Sequence, residues 1–297
     1  MIDADKLQAE FTERHNILVT PLVQRESDAI YWTTRTKLEI DTALSNHADE
    51  LNQVDPIWSL LLCMLERTFE YVQGAIVAYV TGSTAASEVI SRTAIESAIN
   101  LMFILIDNRN GSRFTEYLAQ YFNKEKKEIN MWLKLTYNMT DDAKQIHLSK
   151  AIDKRNSLTA LEQYINKALL EISLPTTDKV ANKTVTIKEK FQFLGLELDY
   201  QTVYAALCSQ THSDAEDLLN YFVFVSIGDQ NLLDKVGLET INFSRLMVYF
   251  GVKYYIMAAG SYAIRFGLTD ALEILNEGSN IISQIMEKIA NNLHSTT

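Results

Sequence analysis

The sequence predicts an all-α protein, a multi-helix bundle with long antiparallel helices. Only 3 prolines and 10 glycines interrupt its 297 residues, so few positions break a helix. Most segments repeat apolar residues every three or four positions, as amphipathic helices do. The 47% hydrophobic content is sufficient to bury a sizeable core. Without an internal repeat, we expect a single domain over 1–297, with a loop-rich excursion at about 173–198.

Helix start and stop signals divide the first half of the chain. Asp55 and Pro56 suit an N-cap and a first helical position before a long apolar run. The next helix is expected at about 85–107, because the turn sequence "DNRNG" ends it. Two more are expected at about 112–137 and 140–172, the second capped by its first threonine.

The second half carries similar signals. Thr186 and Glu189 have the spacing of a capping box, so a short helix is expected to end near Gly195. Asp199 is then expected to cap the helix that contains "YAALCSQTHSDAEDLL". The chain closes with two long helices, expected at about 238–266 and 270–293.

Charge and cysteine usage narrow the class of protein. With 38 acids against 27 bases, the net charge of −11 opposes a broad nucleic-acid surface but leaves room for a local basic patch. Cys63 and Cys208 lie inside apolar patterns, which favours small buried residues over a disulfide framework. The acidic start "MIDADKLQ" is unlike a signal peptide. A cytoplasmic location is therefore expected.

The longest near-apolar stretch, "LMVYFGVKYYIMAAGSYAIRFGL", begins at Leu246 and is long enough to span a bilayer. Lys253 and Arg265 fall within it, together with several tyrosines. Charges at membrane depth are costly, so the stretch indicates a buried core helix and no membrane partner.

A polar stripe runs along the helix "SEVISRTAIESAINLMFIL", where Glu88, Arg92, Glu96 and Asn100 recur every four residues. One interpretation is a solvated face with helical ion pairs. In the other, the helix is central, and its charged side chains must then face partners or a wet cleft.

The stretch from Tyr204 to Glu216 supplies a candidate partner for that stripe, because Tyr204, Cys208 and His212 share the same four-residue spacing. A histidine titrates near neutrality and can move a proton. The candidate catalytic residues are therefore Arg92, Glu96, Ser209 and His212, with Tyr204 as a candidate substrate contact. The alternative is a core histidine satisfied by one hydrogen bond.

A basic stripe in "DDAKQIHLSKAIDKRNSL" is a candidate RNA-binding surface. In it Lys144, His147, Lys150 and Lys154 recur at intervals of three and four residues, with Arg155 adjacent. A solvated face explains the stripe equally well, since several aspartates lie nearby.

No cofactor or metal site is expected. The sequence has no Walker loop, dinucleotide fingerprint, nucleophile elbow, HExxH motif or paired Glu-x-x-His motif. Four potential metal ligands nevertheless lie close together in the sequence: His212, Asp214, Glu216 and Asp217. They leave a metal-dependent small-molecule hydrolase as a third functional interpretation.

Two motifs carry a family resemblance. The R-x-x-x-E pair Arg92 and Glu96, followed about a hundred residues later by Y-x-x-x-x-S-x-x-H at Tyr204, Ser209 and His212, resembles domain-of-unknown-function family 5677. The similarity covers mainly residues 60–225. It implies a helical bacterial cytosolic protein in which these Arg, Glu, Ser and His positions meet in one cleft.

A broader resemblance is to the HEPN superfamily of helical RNases, toxins and anti-phage proteins. Their signature, an arginine followed four to six residues later by a histidine, is absent here, so Arg92 and His212 would have to meet from separate helices. This resemblance implies RNA as a partner and RNA cleavage in bacterial stress or phage defence. The alternative is a non-catalytic interaction or regulatory module that forms a homodimer or binds a partner protein.

Overall fold

The computed structural model describes residues 3–54, 57–107, 111–180, 185–205, 207, 222 and 230–294. Across these residues the regular structure is helical and no strand occurs, which confirms the all-α bundle. The helices are α1 (Ala4–Arg14), α2 (Pro21–Arg25), α3 (Ser27–Val54), α4 (Trp58–Val80), α5 (Thr84–Leu105), α6 (Ser112–Thr136), α7 (Asp141–Glu171), α8 (Ile187–Phe193), α9 (Glu197–Asp199), α10 (Gln230–Arg265) and α11 (Thr269–His294), with a π-helical turn at Tyr200–Tyr204 after α9.

The chain divides into two compact units. Unit 1 comprises Met1–Ile106 and Ile187–Thr297, and unit 2 comprises Asp107–Thr186. In unit 1, α5 packs against α4, α8 and α10, while α10 also packs against α3 and α11. In unit 2, α6 and α7 pack against each other as a helical hairpin. The single-domain division stays a prediction.

The core of unit 1 surrounds α5 and α10. Ile95 and Ile99 of α5 are fully buried, as are Tyr249, Tyr254 and Tyr262 of α10. The apolar stretch that begins at Leu246 is therefore a core helix, as expected. None of the described helices combines the length and the apolar character needed to cross a membrane. Because α5 is central, the polar residues that it carries need partners on neighbouring helices.

Several predicted boundaries are confirmed. The observed bounds of α5, α6 and α7 lie within two residues of those expected, and Thr140 is the N-cap residue of α7. Gly195 follows α8 with a φ of +71°, a backbone conformation that suits glycine. Asp55 and Pro56 lie outside the described residues.

Other expectations are wrong. Asp199 precedes the π-helical turn with helical backbone angles, and its side chain makes no capping hydrogen bond there; its carboxylate instead accepts a hydrogen bond of 2.6 Å from the Tyr254 hydroxyl. The helix expected from about 238 already begins at Gln230. Cys63 is exposed, since it lies on the face of α4 opposite the buried Leu61. Cys208 lies outside the described residues.

Candidate functional site

The centre of the candidate site is a contact between α5 and the π-helical turn. The Tyr204 hydroxyl donates a 2.8 Å hydrogen bond to Oε2 of Glu96. The guanidinium carbon of Arg92 lies 5.4 Å from the centre of the Tyr204 ring, within cation–π range. Tyr204 is 3% exposed, whereas Arg92 and Glu96 are half-buried. Three of the predicted site residues therefore meet at one place.

Local backbone geometry orients the aromatic partner. The π-helical turn stacks the rings of Tyr200 and Tyr204, with centres 5.6 Å apart and planes inclined by 25°. The fully buried Phe191 contacts both rings from α8. π-Helical turns are rare and often occur at functional sites. Here the turn directs the Tyr204 hydroxyl towards α5.

Burial and charge hold Tyr204 in its neutral form. Burial is the main cause that raises its pKa well above the usual tyrosine value, and the Glu96 carboxylate acts in the same direction. The Arg92 guanidinium opposes them. At neutral pH the site therefore offers a phenol that donates a hydrogen bond beside an arginine cation.

Lys190 is a site residue that the sequence analysis missed. Its Nζ donates a 2.7 Å hydrogen bond to Oδ1 of Asn100 and lies 5.7 Å from the Phe103 ring centre. The side chain is 6% exposed. Burial lowers the pKa of Lys190, although the Glu96 carboxylate opposes this change.

A sequence signal for Lys190 existed. Ile187 and Phe191 of α8 share one apolar face with Leu194 just after it, and position 190 falls on that face. A lysine at a core-facing position must either extend to solvent or find a buried acceptor. In this protein it finds the side-chain amide of Asn100.

The polar stripe on α5 is thus a seam between helices. At one end, the Ser244 hydroxyl of α10 donates to the buried Glu88 carboxylate. Arg92 and Glu96 face Tyr204 in the middle. Asn100 accepts from Lys190 at the other end. The interpretation of α5 as a central helix with partnered polar groups therefore describes this stripe better than a solvated face.

The other two candidate catalytic residues are not among those that the structure describes. Ser209 and His212 lie outside the described residues, as do Asp214, Glu216 and Asp217. Over the described ranges, no group of three His, Cys, Asp or Glu side chains is arranged to hold a metal ion.

The predicted RNA-binding lysines lie on α7 in unit 2. Lys154 forms a 2.7 Å ion pair with Glu125 of α6, which raises the pKa of Lys154. Lys144 lies over the Tyr137 ring, with its Nζ 5.6 Å from the ring centre. Lys150 is exposed. The positive charge of this stripe is therefore partly neutralised by the neighbouring helix.

Comparison with known proteins supplies a family and no activity. The model of a family of unknown function, DUF5677, matches residues 59–230, more than half of the chain. The matched range runs from α4 to the start of α10 and includes Arg92, Glu96, Lys190 and Tyr204. No curated protein and no solved structure matches the chain. The chain therefore belongs to the DUF5677 family, as the two motifs indicated.

Proposed function

We propose that this protein is a HEPN-like, nucleic-acid-directed protein that cleaves RNA in bacterial stress or phage defence, in the cytoplasm. The observation that carries the proposal is the assembly of Arg92 and Glu96 with Tyr204. Tyr204 stands five residues before Ser209 and eight before His212 in the sequence. The contact therefore links the stripe on α5 to the segment that holds the candidate histidine.

In the proposed reaction, His212 takes the proton of a ribose 2′-hydroxyl, and the 2′-oxygen attacks the adjacent phosphorus. The bond from phosphorus to the 5′-oxygen breaks, that oxygen takes a proton from water as it leaves, and His212 returns its proton to the solvent. The products are a 2′,3′-cyclic phosphate and a 5′-hydroxyl end. Arg92 stabilises the negative charge that develops on the phosphoryl oxygens.

The polar neighbours have supporting roles in this proposal. The neutral Tyr204 hydroxyl donates its hydrogen bond to Glu96, which fixes the ring against which Arg92 lies. In unit 2, Lys144, Lys150 and Lys154 are the proposed contacts to RNA phosphates, which they attract by charge.

An RNA-cleavage assay on the purified protein, with and without magnesium, tests the proposal. We expect wild type to produce cyclic-phosphate ends, and His212→Ala and Arg92→Ala to lower the rate by about 10²-fold or more. Tyr204→Phe should lower it less, because the ring against Arg92 remains. Arg67→Ala is the matched control, since Arg67 lies exposed on α4 in an ion pair with Glu70.

Circular dichroism establishes that each variant is folded before its rate is compared. The proposal would be overturned if Arg92→Ala cleaved RNA as fast as wild type, or if the wild-type protein cleaved no RNA.

A second candidate is a non-catalytic interaction module. The observation that favours it is a set of exposed large apolar side chains on the hairpin of unit 2: Met131, Leu135, Tyr137, Ile146 and Tyr164. Met131 and Leu135 lie one turn apart on α6 and so share a face, and exposed apolar patches are typical of surfaces that bind a second protein or a second copy. Light scattering after size-exclusion chromatography would detect a homodimer, and a monomeric mass would exclude one at the concentration used.

A further inference from the structure

The π-helical turn that carries Tyr204 marks a change of helical register. Before it, the Tyr200 N–H donates to the Leu196 carbonyl oxygen, four residues back, as in an α-helix. At its end, the Ala205 N–H donates to the Tyr200 carbonyl oxygen, five residues back. The chain therefore accommodates one extra residue between Tyr200 and Ala205. Because π-helical turns are rare, contacts outside the turn must stabilise this one.

Hydrogen bonds to two other helices fix both ends of the turn. The Asp199 carboxylate, directly before it, accepts from the Tyr254 hydroxyl of α10 at 2.6 Å. The Tyr204 hydroxyl, at its last residue, donates to Glu96 of α5 at 2.8 Å. Since α5 and α10 pack against each other, the core of unit 1 sets the separation between these two attachments. The turn has to span that fixed separation.

Tyr254 is suited to hold Asp199, because both its position and its protonation are fixed. Its side chain is fully buried, and its ring contacts Phe191, which also contacts the rings of Tyr200 and Tyr204. Burial is the main cause that raises the pKa of Tyr254 well above the usual tyrosine value, and the Asp199 carboxylate acts in the same direction. The phenol therefore stays protonated at neutral pH and donates its hydrogen bond.

The register of the turn decides where Tyr204 points. Each residue of an α-helix adds about 100° of rotation around the helix axis. Without the extra residue, the chain after the turn would be rotated by about this angle relative to Asp199. The Tyr204 hydroxyl would then no longer face Glu96, and its ring would leave Arg92.

We propose that Tyr254 and Asp199 are positioning residues of the candidate site: their hydrogen bond holds the π-helical register, which places the Tyr204 hydroxyl on Glu96 and its ring beside Arg92. Neither of the two needs to touch RNA. The consequence for RNA cleavage rests on the proposed function, whereas the register is a property of the protein alone. The two are therefore tested by separate measurements.

A double-mutant cycle between Tyr204→Phe and Glu96→Gln measures whether these side chains are in contact. From urea unfolding we expect a coupling of about tenfold in the unfolding equilibrium constant, because the hydrogen bond has a charged acceptor. In a Tyr254→Phe background the coupling should be lost. Tyr262→Phe is the matched control and should keep it, since Tyr262 lies fully buried on the same helix and its hydroxyl donates to the Trp58 carbonyl oxygen at 3.0 Å.

Variants of Asp199 decide the question even if Tyr254→Phe fails to fold, because Asp199 is only half-buried. Asp199→Asn keeps an oxygen that accepts from the Tyr254 hydroxyl and should keep the coupling, whereas Asp199→Ala should lose it. Equal coupling in these two variants, unchanged coupling in Tyr254→Phe, or no coupling in wild type would each overturn the proposal.

RNA cleavage separates this inference from the proposed function. If wild type cleaves RNA, Tyr254→Phe should lower the rate at least as much as Tyr204→Phe does, and adding Tyr204→Phe to it should lower the rate no further, because the hydroxyl is already displaced. Tyr262→Phe should cleave as wild type does. A wild-type protein that cleaves no RNA contradicts the proposed function and leaves the register to the coupling measurement. Full cleavage by Tyr254→Phe with retained coupling contradicts the register inference alone.

Discussion

Glu26→Gln should lower the free energy of unfolding of unit 1 by about 3 kcal/mol. Glu26 is 1% exposed and joins α2 to α3. Its two carboxylate oxygens accept hydrogen bonds from Nε of Arg25 at 2.6 Å and Nε of Arg245 at 2.9 Å. Glutamine keeps the shape of the side chain but removes the charge between two arginines.

The magnitude follows from the burial of the three groups. Breaking a buried ion pair by removing one partner costs about 3–5 kcal/mol, because the other charge stays out of water. The Arg245 side chain is 19% exposed, whereas that of Arg25 is 43% exposed and regains water. We therefore expect the lower end of the range. At about 2–4 °C per kcal/mol for a unit of this size, the melting temperature should fall by about 6–12 °C.

Thermal and urea unfolding followed by circular dichroism measure the change. Glu70→Gln is the matched control, because Glu70 pairs with Arg67 at 3.1 Å but is 57% exposed. Exposed pairs contribute about 1 kcal/mol or less, so this variant should melt close to wild type. Equal melting temperatures for the two variants would refute the argument that burial determines the cost.

Two further predictions concern a buried amine and a close helix contact. Since burial lowers the pKa of Lys190, the unfolded chain binds its proton more readily, and stability should rise with pH from the lowered pKa towards 10.5. Urea titrations at several pH values should show a smaller rise in stability for Lys190→Met than for wild type. An equal rise would show that another group causes it. Gly278→Ala should destabilise by about 1–2 kcal/mol, because its Cβ would lie 2.5 Å from the Trp32 ring. Gly260→Ala should instead stabilise the protein by up to about 1 kcal/mol, because a Cβ at this position would have nothing within 4 Å. Thermal melts that shift both variants in the same direction would contradict this reasoning.

Local signals made the helices predictable. The bounds of α5, α6 and α7 follow from caps and turn residues, which act within a few positions of the chain. Asp199 shows where such signals fail. An aspartate is a favourable capping residue, but the Tyr254 hydroxyl, 55 residues away, occupies this carboxylate instead.

The candidate site was predictable in part for the same reason. The four-residue spacing of Arg92 and Glu96 on one helix, and the motif that begins at Tyr204, were visible in the sequence. Lys190 was missed, because a short segment rich in lysine and glutamate resembles a solvated helix. Its burial depends on how α8 packs against α5.

The sequence by itself determined that the chain is helical and that one helix carries a polar stripe, because a 3.6-residue period is a property of neighbouring residues. Only the tertiary structure decided that the stripe is a seam whose polar groups have partners on neighbouring helices. The hydrogen bond between Tyr204 and Glu96 joins residues 108 positions apart, and Ser244 reaches Glu88 across 156 positions. Contacts between residues so far apart in the sequence depend on which helix faces pack together, and that packing must give every buried polar group a partner.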